Sequence, residues 1–320
     1  MNRIHLLLLL LLTALPVSQS TAQVQVLASI KPLQLIVAAI TDGVSTPGLL
    51  ISGNQSYHHF TLRPSSVRAV NAAQLLVWVG PELETYLTDL YQEQASKKPV
   101  LQMTALPGLI RHPRLETALP QQAEETQSEH VEAEHAHRHA GEYDGHVWLD
   151  TRNAALLAVA VSEQLQALDP DHAARYAANL ERFQQALAAL ARQTAALMAP
   201  LTAPVTTAEG NRPFAVYHNA FQYFEKQYGL RASLVFVEEE DVQPGIRHLL
   251  ALRESLAEIQ PGCLLQDVGA NPATVATVLG DYVLKRQTVD IIGLTLAAEP
   301  GAFVQLLSGV AADFQSCLQP

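Results

Sequence analysis

The sequence predicts an α/β protein of two (β/α) lobes with parallel sheets, joined by one long helix. Three observations carry that prediction. Short apolar runs alternate with helical patterns up to about residue 94, and the same alternation returns beyond Pro200. Between them lies one unbroken apolar stripe of helical period. Strands alternating with helices form parallel βαβ units.

Residues 1–22 read as an export leader. Arg3 gives a positive start, Leu6 to Leu12 is apolar without interruption, and Ser20-Thr21-Ala22 offers small residues for cleavage before Gln23. The apolar stretch is about half of what a membrane span needs. No cysteine follows it to take a lipid. Of the 320 residues, 298 remain after these 22, enough for two domains.

The first lobe is read as residues 23–168. Val24 to Ala28, Gly48 to Ser52 and Leu75 to Val79 are strand candidates; Pro32 to Ile40, Pro64 to Val70 and Glu82 to Gln94 are helices. From 112 to 142 the chain loses nearly all large apolar side chains and fills with Glu, Gln and His, so this tract is expected to be a mobile loop. Order resumes at His146-Val147-Trp148-Leu149-Asp150, and a helix follows from Thr151 to Leu168.

Asp169-Pro170 restarts the chain as an N-cap and first helical position. The linking helix, residues 169–199, carries Tyr176, Leu180, Phe183, Leu187, Leu190, Thr194 and Leu197 at steps of four and three. Its ~30 residues at 1.5 Å each reach roughly 45 Å, longer than one small domain. In the second lobe, 200–320, strands are expected at Phe214 to Tyr217, Leu234 to Val237, Cys263 to Gln266 and Thr288 to Ile292. Helices are expected at Ala220 to Tyr228, Gly245 to Ile259, Pro272 to Leu279 and Ala302 to Leu318.

A net charge of −11 argues against nucleic acid, whose phosphates require a basic face, and favours cations. The two cysteines, Cys263 and Cys317, read in an exported chain as one disulfide. A thiolate metal site would need further soft ligands at short spacing.

Eleven histidines lie beyond the leader, in two groups. His130, His135, His137 and His139 stand among glutamates in the polar tract, a composition that can collect metal or serve as a solvated acidic spacer. His58 and His59 follow a strand candidate, His146 heads the segment where order returns, and His218 ends a strand candidate. Ligands gather at the carboxyl ends of strands in open α/β sheets. Taken singly, each histidine reads equally well as a hydrogen-bonded structural residue, and separations of 88 and 72 positions form no recognised metal motif.

Several segments together resemble the zinc-specific periplasmic substrate-binding proteins of ABC transporters, in the metal-binding cluster of solute-binding proteins. They are Ala28-Ser29-Ile30-Lys31-Pro32, Tyr57-His58-His59-Phe60-Thr61-Leu62-Arg63-Pro64-Ser65, His146-Val147-Trp148-Leu149-Asp150, the stretch from Tyr217-His218-Asn219-Ala220 to Tyr228-Gly229-Leu230, and Gln243-Pro244-Gly245. The acidic, His-rich insert and the positions of Cys263 and Cys317 are similar to the zinc branch as well.

The resemblance implies a long rigid helix between the lobes, metal in the inter-lobe cleft, and His58, His146 and His218 as ligands. It implies a monomer that captures Zn(II) as transported ligand in the periplasm and passes it to an inner-membrane permease and its ATPase. Imidazole at 218, where manganese and iron relatives carry carboxylate, favours zinc. Tyr57 stands where some members carry a Glu, and Asp267-Val268-Gly269-Ala270-Asn271 matches poorly the segment in which the manganese branch places a ligand Asp. The fourth position is therefore expected to hold water, with His59 the nearest spare side chain. Rival readings are a zinc hydrolase using three histidines and bound water, and a metal-binding adhesin or buffer of the same fold. No motif places a general base for the hydrolase, and Glu238-Glu239-Glu240-Asp241 reads as a solvated turn.

Overall fold

A computed structural model describes residues 23–52, 55–114, 141–202, 213–238 and 243–319. The expected leader, the four histidines of the polar tract and the acidic run from Glu239 onward lie outside the described residues.

Two four-stranded sheets organise the chain. The first comprises β1 (Val26–Ala28), β2 (Gly48–Leu49), β3 (Leu75–Trp78) and β4 (Val100–Gln102), in the order β2-β1-β3-β4. The second comprises β5 (Phe214–His218), β6 (Leu234–Val237), β7 (Cys263–Asp267) and β8 (Lys285–Val289), in the order β6-β5-β7-β8. Every pairing is parallel, so within each sheet all strands end on the same edge. The two orders are the same pattern used twice, which is the likeness between halves that the sequence texture suggests.

Two central strands, β3 and β5, are buried along their whole length, as continuous apolar runs in a helix-covered parallel sheet require. Alternation divides their side chains. Leu75, Val77, Phe214, Val216, Cys263 and Leu265 join one inner core, while Leu76 and Trp78 pack outward under α2 (Pro64–Ala72) and α3 (Thr88–Ala95). Ala215, Tyr217 and Leu264 face outward with residues of α7 (Ile246–Ile259) and α8 (Pro272–Leu279). The inner core is continuous across both lobes. It is filled by α1 (Lys31–Thr41), α4 (Thr151–Leu168), α5 (Ala173–Thr202) and α9 (Ala302–Leu318).

The linking helix α5 is 30 residues long and contacts α1 and α4 on one side and α9 and α6 (Gln222–Tyr228) on the other. Its start differs from the expected restart at Asp169. A 3-10 turn, Pro170–His172, precedes it, and the Asp169 carboxylate takes the His172 ring and the Tyr176 hydroxyl, both at 2.8 Å, rather than a backbone N–H. Its buried stripe includes Asn179 where the apolar period points to Leu180, because the Asn179 amide donates to the carbonyls of Ile40 and Asp42 at the end of α1.

The expected helix Glu82–Gln94 is a 3-10 turn, Thr85–Leu87, followed by α3 from Thr88, and the further departures are at edge strands. β8 lies three residues before the expected Thr288–Ile292, and β4 has no sequence expectation. Both are edge strands, and in β8 only Val289 is buried, so no apolar run marks it. Cys263 at the start of β7 is disulfide-bonded to Cys317 at the end of α9, with Cα atoms 5.6 Å apart. No helix among the described residues is long and apolar enough to cross a membrane.

Candidate metal centre

His58 is held by a turn built on its neighbours. The Ser56 hydroxyl accepts from the backbone N–H groups of His58 and His59, both at 3.1 Å. Tyr57 and Phe60 are buried beside it, and the Tyr86 hydroxyl donates to the Tyr57 carbonyl at 2.8 Å. This turn points His58 inward, 3% exposed, and leaves His59 exposed.

His146 stands immediately before a 3-10 turn, Val147–Leu149. The Asp144 carboxylate accepts from the His146 backbone N–H at 2.9 Å and lies 2.7 Å from ring Nδ1. A carboxylate at that distance fixes the proton on Nδ1 and presents the Nε2 lone pair to a metal. Nε2 is buried and has no hydrogen-bond partner among the described residues. A buried nitrogen of this kind is costly unless something takes its lone pair. Gly145 lets the chain through: a Cβ there would lie 2.8 Å from that of Leu83.

His218 is the last residue of β5 and fully buried, which agrees with a position on the inner-facing side of Phe214 and Val216. Asp267 ends the neighbouring strand β7, and its carboxylate lies 3.6 Å from His218 Nδ1.

The three histidines meet although each comes from a different segment. One ring nitrogen from each lies within 4.8 Å of the other two, and the ring centroids are 4.9 to 5.5 Å apart. A tetrahedral zinc with bonds of about 2.0–2.1 Å needs nitrogens about 3.4 Å apart, so ångström-scale ring adjustments suffice. Trp148 closes the site from behind, 5.3 Å from the His146 ring, and its indole N–H donates to the Ile291 carbonyl of the second lobe at 2.9 Å. Two buried carboxylates beside three imidazoles suit a cation.

His59 lies outside this cluster. Asp267 is closer to the centre than its flanking residues imply. It is 2% exposed against His218, because parallel pairing of β5 with β7 brings the two strand ends side by side. Asp144 carries no weight in the sequence reading. The signal that could have found it is the Asp-x-His spacing, which lets a carboxylate reach back to a ring two residues on. Of the other described histidines, His172 is held by Asp169, His248 by the Phe236 carbonyl at 2.8 Å, and the His112 ring packs on Tyr223 at 4.8 Å.

The polar tract leaves and rejoins the first lobe through a short antiparallel neck. Pro113 and Tyr143 form a bridge, Arg114 N–H donates to the Glu142 carbonyl at 3.0 Å, and Asp144 N–H donates to the His112 carbonyl at 2.9 Å. The neck therefore ends on the residue that holds His146.

Comparison with known proteins points one way. The family described as zinc-uptake complex component A, periplasmic, matches residues 26–317. The high-affinity zinc uptake system protein ZnuA of Yersinia pestis is 30% identical over 308 residues, covering 93% of this chain and 92% of its own. Among solved structures, the periplasmic zinc binding protein TroA from Treponema pallidum is similar with a TM-score of 0.72 at 18% identity, covering 93% of this chain and 100% of that one. A mutant of the laminin-binding adhesin Lmb from Streptococcus agalactiae gives 0.72 at 18% identity, over 92% and 100%. At these identities both structures show a shared fold.

Proposed function

Since the chain belongs to the zinc-uptake complex component A family, we propose that it is the high-affinity zinc-binding component of an ABC importer. In this reading it captures Zn(II) in the periplasm on His58, His146 and His218 and delivers the ion to a membrane permease driven by its ATPase. The supporting observation is the buried triad of ring nitrogens within 4.8 Å of one another. Two come from the first lobe and one from the second.

Neutral imidazole is a good zinc ligand, and an ion shared by both lobes favours one arrangement of them. A permease can read that arrangement as loaded or empty. The site favours capture over hydrolysis. Its buried carboxylates, Asp144 and Asp267, lie 2.7 Å and 3.6 Å from Nδ1 of His146 and His218, where they hold ligand side chains instead of activating water. Water completes the coordination.

Zinc competition against a chelator is the test. The protein should bind one zinc tightly, and His218→Ala should weaken it by more than about 100-fold, beyond the loss typical for an outer partner. Unchanged affinity in His218→Ala would exclude the inter-lobe site.

A further inference from the structure

We propose that Tyr223 is a positioning residue for zinc capture: from the second lobe it fixes the Asp144 peptide, and through Asp144 it holds the His146 imidazole toward the ion. Tyr223 lies on α6, five residues after His218, and is fully buried. Its hydroxyl donates to the Asp144 carbonyl at 2.9 Å and accepts from the His112 N–H at 3.2 Å. The His112 ring packs on its ring at 4.8 Å. One oxygen thus ties both strands of the neck to the second lobe.

The chain of contacts from that oxygen to the metal face is short. Asp144 is fixed at its carbonyl by Tyr223, and its carboxylate holds His146 at both the backbone N–H and Nδ1. The ring has no other hydrogen-bond partner among the described residues, so the angle of the Asp144 carboxylate sets where Nε2 points. The segment that delivers His218 also braces the ligand of the opposite lobe, so the metal and the Tyr223 bond favour the same lobe arrangement.

The hydroxyl can be separated from general docking of α6. Gln222 donates to the Pro113 carbonyl at 3.0 Å, and Gln227 pairs with the N–H and hydroxyl of Thr151 at 3.1 and 2.6 Å. None of these touches Asp144. Tyr223→Phe leaves them in place and removes one oxygen.

The inference rests on the zinc-binding reading of this site, and the experiment separates the two. Zinc competition and the visible spectrum of the cobalt-loaded full chain are measured for wild type, Tyr223→Phe, Asp144→Ala, the double variant and Gln227→Ala. Tyr223→Phe should raise the zinc Kd about tenfold or more, the usual range for a residue that orients a ligand, and alter the cobalt bands. In the Asp144→Ala background it should add little, because the two act in series. Gln227→Ala should keep the wild-type Kd and spectrum.

An unchanged Kd and spectrum in Tyr223→Phe, or an equal loss in Gln227→Ala, overturns the positioning role. Full additivity with Asp144→Ala does the same. Should Tyr223→Phe not fold, fluorotyrosine at position 223 changes only the donor strength of the hydroxyl, and an unaltered cobalt spectrum there is equally decisive. Wild type without a tight zinc site refutes the zinc-binding reading itself. Tight wild-type binding with an indifferent Tyr223→Phe refutes this inference alone.

Discussion

Glu84 shows how one side chain loads the protein with a pH dependence unrelated to metal. It is fully buried at the carboxyl end of β3, where it accepts from the Val79 N–H at 2.7 Å. Burial pushes its carboxyl up to about 7, against the pull of its hydrogen bonds to Ser29, Val79 and Gly80. The folded value lies above the unfolded one, so the folded chain holds the proton more tightly. Stability is then greatest below the unfolded pKa and falls as pH rises through about 7. Glu225, also raised to about 7 mainly by burial, acts with the same sign. Urea unfolding of metal-free protein should show stability falling from pH 5 to pH 8, with Glu84 contributing up to about 3 kcal/mol of the fall. Glu84→Gln keeps an acceptor for Val79 and should flatten the slope; a slope parallel to wild type would rule the assignment out. At this scale the sequence was partly legible. His58, His146 and His218 stood out only through their flanking segments, whereas Asp267 matters through a strand pairing that no spacing rule records, and Asp144 through a short Asp-x-His turn that carries no weight beside them.

Elements were most legible where burial is complete. The apolar runs of β3 and β5 and the stripe of α5 announce themselves. The edge strands β4 and β8 do not, because β4 is three half-buried residues and β8 is polar at every position but Val289. The neck is the element with the clearest consequence. The polar tract reads as one unit from 112 to 142, yet residues 112–114 and 142–144 belong to the folded lobe and end on Asp144. Deleting 115–140 across a short Gly-Ser bridge should leave one tight zinc site. Deleting 112–142 removes the backbone partner of Asp144 and should weaken that site about tenfold or more. Equal affinity of the two deletions would detach the neck from the metal centre.

Across the whole molecule, one topology used twice places two sheets around a shared helical layer, with β5 ending in His218 and the His58 loop following β2. The core runs through α1, α4, α5 and α9 without a break. The fold class was legible because alternation and helix length survive in a bare sequence. The meeting of three histidines from distant segments was not, because it depends on how the lobes face each other. The most direct test is an anomalous-scattering map at the zinc edge on crystals of the zinc-loaded protein. One strong peak bonded to a ring nitrogen of His58, His146 and His218, each at about 2.0–2.1 Å, is the predicted result. A principal peak elsewhere, or one bonded to histidines of a single lobe, would contradict the account.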